Sequence, residues 1–143
     1  MQFVCDAAGQ KAWFRIETEA EAARESELMR HAVEKHFRRA HEQASQAYKP
    51  APGPFVEQDI GRAAHIRRTM PVFLTLRDGD GTALATAMLP PQGAGRDGLA
   101  AGPMVVGPGN DDPYPEHGEA IRALGRHFGL SLDRARCYPY SRT

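Results

Sequence analysis

The feature that most constrains the fold is a Gly- and Asp-rich segment, Asp-Gly-Asp-Gly-Thr at 78–82, between two apolar runs at 72–77 and 82–89. Glycine tolerates positive φ angles and aspartate caps tight turns, so this pattern predicts a β-hairpin. The runs at 3–5 and 12–16 predict a second hairpin near the N-terminus. Strands that arrive as hairpins, and not as repeated βαβ units, indicate a mostly antiparallel sheet.

These patterns predict an α+β fold in which five or six strands pack against one long and two shorter helices. A length of 143 residues favours a single domain over 1–143 and lets the chain bury roughly 70% of its extended surface. The Pro- and Gly-rich stretch at about 90–102 predicts a mobile surface loop. A short strand follows at 104–106, and the third helix begins near Pro113 with Asp112 as its N-cap.

One long amphipathic helix is expected over 19–48. Thr18 and Glu21 form a capping box at its start, and prolines follow its end. A helix of this span is roughly 45 Å long, whereas a chain of this length folds with a radius of gyration of about 14–15 Å. The helix should therefore span the domain and fray after Ala40, or bend, or project from the domain. Its apolar stripe comprises Ala22, Met29, Val33, Phe37, Ala40, Ala44 and Tyr48.

A projecting stripe would offer Met29, Val33 and Phe37 to a partner. That partner would be another protein or a second copy of this chain, which makes self-association through the long helix a hypothesis. The stripe could equally pack inside the domain, as amphipathic helices ordinarily do.

The second helix is indicated by Val56, Ile60, Ala63, Ile66 and Met70, and Pro71 ends it. The basic residues of this helix, Arg62, Arg67 and Arg68, form a candidate nucleic-acid surface. Lys plus Arg and Asp plus Glu each number 18, so no net charge draws a polyanion to the chain. No helix-turn-helix, zinc or RNA-recognition motif accompanies the basic run, and a solvated helix face is the favoured interpretation.

The segments at 73–82 and 105–111 resemble two signature loops of the haloacid-dehalogenase superfamily of phosphohydrolases. The first family loop carries an aspartate nucleophile, which the resemblance places at Asp78, and the acids of the second hold Mg²⁺. This chain departs from the family pattern because Pro108 occupies the position of the metal-binding aspartate. No lysine occurs after Lys49 to bind phosphate. A tight hairpin turn requires the same Gly and Asp residues, and we keep that interpretation.

The strand-to-helix junction at 107–117 is the candidate small-molecule site. Asn110, Asp111, Asp112 and His117 bring amide, carboxylate and imidazole groups together in sequence, which could bind a small ligand or a divalent metal. Acids at a helix start also cap free backbone N–H groups and complement the helix dipole. Capping is the favoured explanation, and no catalytic residue is predicted.

The sequence therefore predicts a small accessory or interaction module without catalytic activity and without a cofactor. The alternatives are an enzyme that binds a metal or a small ligand at 107–117, and a nucleic-acid-binding protein that uses the second helix. The N-terminal residues lack the pattern of a signal peptide, and no stretch approaches ~20 apolar residues. A cytoplasmic protein without a membrane partner is expected.

Overall fold

A computed structural model of the chain describes residues 1–95 and 98–142. Within these residues, five strands and four α-helices follow one another in the order ββαααβββα. The strands are β1 (Gln2–Ala7), β2 (Lys11–Arg15), β3 (Val72–Arg77), β4 (Ala83–Leu89) and β5 (Met104–Val106). The helices are α1 (Glu19–Met29), α2 (Val33–Ala47), α3 (Phe55–Thr69) and α4 (Tyr114–Phe128).

The strands form one sheet in the order β1-β2-β3-β4-β5, and every neighbouring pair is antiparallel. This arrangement confirms the α+β class and the antiparallel sheet of hairpins. The β3–β4 turn depends on Asp78, whose side chain accepts the backbone N–H groups of Asp80 and Thr82 at 2.9 Å each. Gly81 takes a φ of 81°, a conformation that glycine adopts at low cost. The segment at 78–82 is thus a hairpin turn.

Helix α4 covers one face of the sheet. Along each strand alternate side chains point to this face, as the pleat of a β-sheet requires. The indole N–H of Trp13 donates to the carbonyl oxygen of Ala120 at 2.8 Å, which ties β2 to the covering helix. The buried residues of this core include Trp13, Val72, Leu74, Leu76, Ala85, Leu89, Val105, Ile121 and Leu124.

Helices α1, α2 and α3 cover the opposite face, and all three lie in the chain between β2 and β3. Those two strands are nevertheless neighbours in the sheet, and the N–H of Ile16 donates to the carbonyl oxygen of Phe73 at 2.8 Å. The second core lies beneath these helices and includes Ile16, Ala22, Val33, Phe37, Ala44, Ile66, Met70 and Phe73.

The prediction of one long helix over 19–48 is wrong in detail, because the helix is broken into α1 and α2. Arg30 adopts a left-handed conformation, with φ 55° and ψ 52°, and the N–H of His31 returns to the carbonyl oxygen of Ser26 at 3.3 Å. This pattern resembles a Schellman C-cap, which normally uses glycine. The side-chain oxygen of Ser26 also accepts the N–H of Glu34 at 2.8 Å, which fixes the angle between the two helices.

The break explains how a chain of this size accommodates so long an amphipathic stripe. By turning at 30–32, α2 folds back against α1 and α3, and Phe37 packs on Phe73 of β3, so the stripe remains inside the domain. The predicted loop at 90–102 connects β4 to β5, and its residues 96 and 97 lie outside the described part of the chain.

Candidate functional site

A cavity of about 300 Å³ lies between the α1–α2 turn and the sheet. Its floor is formed by side chains that share one face of three adjacent strands. The pairings of Thr86 with Val106 and of Met88 with Met104 place these residues side by side. Because the strands alternate strictly here, Phe73 of β3 joins them on the same face. The floor is thus mainly apolar, with one hydroxyl group.

The roof and one wall of the cavity carry most of its polar groups. His31, Ala32 and His36 come from the α1–α2 turn and the first turn of α2. Asn110, at the end of the short turn after β5, and Tyr138, near the C-terminus, form the wall. His36 and Asn110 are exposed at the rim, whereas His31 is half-buried. The few polar groups therefore converge on a mainly apolar space, which is the usual composition of a ligand pocket.

A buried polar network adjoins the cavity at its inner end. Glu25 of α1 is fully buried, and its carboxylate accepts a 2.7 Å hydrogen bond from the Arg77 guanidinium group. The hydroxyl of Thr86 donates to the other carboxylate oxygen at 2.6 Å. Arg77 also donates to the hydroxyl of Thr75 at 3.0 Å. A buried carboxylate is costly unless it is paired and hydrogen-bonded, and here it has both a charged and a neutral donor.

The network determines the tautomer of His31. Since the single hydroxyl proton of Thr86 goes to Glu25, the hydroxyl oxygen accepts from His31 Nε2 across 2.8 Å. The other ring nitrogen, Nδ1, accepts the backbone N–H of Val33 at 3.4 Å. Burial lowers the pKa of His31 and outweighs the nearby Glu25 carboxylate, which acts in the opposite direction. His31 is therefore neutral, with its proton on Nε2.

The candidate site at 107–117 does not form as a cluster. Asn110 lines the cavity, but Asp112 bonds to Arg134 at 2.8 Å and to the N–H of Tyr114 at 3.0 Å. The exposed Asp111 accepts the N–H of Gly107 through its backbone carbonyl at 2.7 Å. Asp112 therefore accepts the N–H of the first residue of α4, but the N-cap residue is Pro113, without a side-chain cap, so the prediction of Asp112 as the N-cap is wrong by one residue.

His117 lies on another side of the domain. Its Nδ1 is 3.1 Å from the Lys11 ammonium nitrogen, and burial together with that positive charge lowers the pKa of His117. Over 1–95 and 98–142, no group of three or more His, Cys, Asp or Glu residues is arranged to hold a metal ion. Of the four candidate residues, the structure thus brings only Asn110 to the cavity beneath the α1–α2 turn, whereas His117 lines a separate pocket beside Lys11.

The apolar partner-binding candidates lie inside the domain. Met29 is fully buried, Phe37 is 2% exposed and Val33 is 8% exposed, and Val33 and Phe37 belong to the core beneath α1–α3. The stripe therefore packs within its own chain. Self-association through it would require these helices to leave the sheet.

The basic residues of α3 point in different directions. Arg62 donates to the carbonyl oxygen of Ser45 at 2.6 Å and lies over the Tyr48 ring, with 5.2 Å between its guanidinium carbon and the ring centroid. Arg67 forms a salt bridge with Glu17. Arg68 extends from the exposed side, with a 3.5 Å contact to His65. The run at 62–68 is thus divided between helix packing and the surface, and is not one basic patch.

Sequence reasoning missed Glu25, His31 and Thr86, although a signal was present. Glu25 lies three residues after Ala22 and four before Met29, so it occupies the apolar face of its helix. A carboxylate in that position is buried and therefore needs a buried hydrogen-bond donor. Arg77 ends a mainly apolar strand and supplies this donor.

Comparison with known protein families, curated proteins and solved structures finds none that matches this chain. Among the helices of the described ranges, none combines the length and apolar character needed to cross a bilayer.

Proposed function

We propose that this protein is a binding domain without a catalytic role, and that its cavity takes up a small, mainly apolar molecule. The observation that supports the proposal is a space of about 300 Å³ between three strands and the α1–α2 turn, open at a rim formed by His36 and Asn110. A polar network that satisfies its own hydrogen bonds lies directly beside this space.

The volume of the cavity limits the size of the ligand. An apolar cavity of roughly 150 Å³ accommodates benzene, so twice that volume suits two fused rings or an aliphatic group of similar bulk. Met88 and Met104 contribute flexible thioether side chains that adapt to irregular apolar shapes. His36 and Asn110 at the rim can hydrogen-bond a polar end of the ligand.

The hydrogen bonds within the network favour holding a ligand over transforming it. The Thr86 hydroxyl already donates to Glu25 and accepts from His31, so an attack by this oxygen would break both bonds. His31 accepts from the backbone of Val33, which occupies the nitrogen that a general base would use. These groups therefore serve to fix the cavity wall.

The proposal is tested by titrating the ¹⁵N-labelled protein with indole and 2-naphthol, used as two-ring probes. We expect saturable chemical-shift changes confined to residues around the cavity. Val106 is 8% exposed and forms part of the floor, so Val106→Phe should fill the space and weaken binding at least about tenfold, equivalent to 1.4 kcal/mol. Ala135→Phe adds the same ring at an exposed site outside the lining and should bind normally.

A folded Val106→Phe variant that binds both probes as well as the Ala135→Phe control would exclude this cavity as the site. If Val106→Phe does not fold, Asn110→Ala at the exposed rim replaces it, with 2-naphthol as the probe because its hydroxyl can use the amide. Equal affinity for 2-naphthol with and without the amide, combined with shifts elsewhere in the domain, would count against the proposal in the same way.

A further inference from the structure

Helix α3 carries an apolar face that the rest of the described chain leaves exposed. Val56 and Ile60, four residues apart, are 69% and 65% exposed, although each is a large aliphatic side chain. Ala63 and Ala64 continue the same face one turn further along and are also exposed, and Arg67, paired with Glu17, ends the face. Ile66, roughly 100° around the helix from Val56 and Ile60, belongs to the core, so α3 lies on the domain with Val56 and Ile60 turned outward.

Charge on α3 is divided along its length. Glu57 lies in the N-terminal half and Arg68 in the C-terminal half, eleven positions later, which is about three helical turns. The two side chains therefore lie along the same flank of the apolar face. Among residues 1–95 and 98–142, neither Glu57 nor Arg68 takes part in a salt bridge, so both charges are available at the surface.

We infer that α3 is a self-association surface, and that two copies of the chain pack their α3 helices antiparallel about a two-fold axis. Reversal of the helix direction brings Glu57 of each copy beside Arg68 of the other, so two equivalent ion pairs flank the contact. The same axis places Ile60 against the alanines at 63 and 64 of the second copy, where small side chains permit close approach. A parallel pair would leave no Glu57 level with an Arg68 of the other copy, so neither ion pair would form.

The small size of a single helix pair predicts a weak dimer. Stable interfaces bury about 1,200–2,000 Å² in total, and one helix face against another falls near or below this range. We expect a monomer–dimer equilibrium with a dissociation constant on the order of 0.1 mM. Lower salt should strengthen it, because exposed ion pairs are screened as the ionic strength rises.

Sedimentation equilibrium of the full chain over increasing protein concentration tests the inference. The Ile60→Asp variant should shift the dissociation constant upwards at least about tenfold, since it puts two carboxylates at the centre of the contact. Phe55→Ser is the matched control. Phe55 is 84% exposed on the same helix but points away from this face, so its removal should leave the equilibrium unchanged.

The antiparallel register is tested by charge reversal at low ionic strength. Glu57→Arg alone and Arg68→Glu alone should each weaken the dimer, because each sets like charges together. The double variant should restore the wild-type constant. A chain that is strictly monomeric up to about 1 mM, or a double variant no stronger than its single parents, would overturn the inference. Because the readout is molecular mass without any probe, the result is independent of ligand binding in the cavity.

Discussion

The hydroxyl group of Thr86 donates a 2.6 Å hydrogen bond to the buried carboxylate of Glu25, which links the middle of the sheet to helix α1. Thr86→Val keeps the shape of the side chain but removes this donor and also the acceptor for His31. We expect the free energy of unfolding to fall by about 1–3 kcal/mol, the cost of leaving buried polar groups unsatisfied. Denaturation by urea measures the change.

Thr86→Ser is the control for this substitution, because it retains the hydroxyl group and loses only a methyl group. We expect Thr86→Ser to retain most of the stability that Thr86→Val loses. Equal losses for the valine and serine variants would show that the methyl group matters and the hydrogen bonds do not.

Arg77 and Glu25 should be strongly coupled in their contributions to the free energy of unfolding. Arg77→Met leaves a carboxylate buried without its charged partner, and we expect a loss of about 3–5 kcal/mol in the free energy of unfolding. Glu25→Gln should also destabilise, but the double variant should lose less than the sum of the two single variants. A double-mutant cycle measured by denaturation gives this coupling energy, and strict additivity would contradict it.

Stability should depend on pH through His31, whose pKa is lowered by burial. The unfolded chain binds a proton on this residue near pH 6.5, whereas the folded chain does so only at lower pH. The free energy of unfolding should therefore decrease as the pH falls below about 6.5, and this contribution levels off below the folded-state pKa.

Urea denaturation at a series of pH values between about 7.5 and 4.5 measures how the free energy of unfolding depends on pH. His31→Gln should weaken the dependence of the free energy of unfolding on pH. Some dependence should remain, because the pKa of His117 is also lowered in the folded chain. The exposed His127→Gln is the matched control and should retain the wild-type profile. A His31 variant that retains the full slope would refute the assignment.

The left-handed Arg30 at the helix break offers a stabilising substitution. A non-glycine residue in this conformation costs about 1–2 kcal/mol, and Arg30 is exposed. We expect Arg30→Gly to raise the melting temperature, with a gain of roughly 1 kcal/mol. Arg24→Gly, at an exposed position inside α1, should instead cost about 1 kcal/mol. A loss for both variants would indicate that Arg30 makes contacts that outweigh its backbone strain.

The two hairpins were predictable because local sequence specifies them. The turn at 78–82 contains the residues that a tight hairpin needs, and the apolar runs on either side have strand length. The capping box of Thr18 and Glu21 is present as predicted, and the side chain of Asp112 does accept a backbone N–H at the start of α4. Each of these features is decided within a few residues of chain.

The helix break and the cavity could not be predicted in the same way. No glycine or proline lies at 30–32, so the turn comes from tertiary packing against the sheet and not from local propensity. The buried network joins Glu25, Arg77 and Thr86 across more than fifty positions of sequence. Only the fold brings these side chains together. Asn110 and Asp112, although two positions apart in sequence, lie at the cavity and against Arg134, respectively.

The direct pairing of β2 with β3 has a topological consequence. Residues 17–71 leave the sheet at the end of β2 and return to it at the start of the neighbouring strand β3. This stretch is therefore an insertion between two adjacent antiparallel strands, which a short turn could otherwise connect. The roof of the cavity and the outward face of α3 both belong to this insertion. Exchange or lengthening of this one segment could therefore give the domain new binding properties while every strand keeps its register.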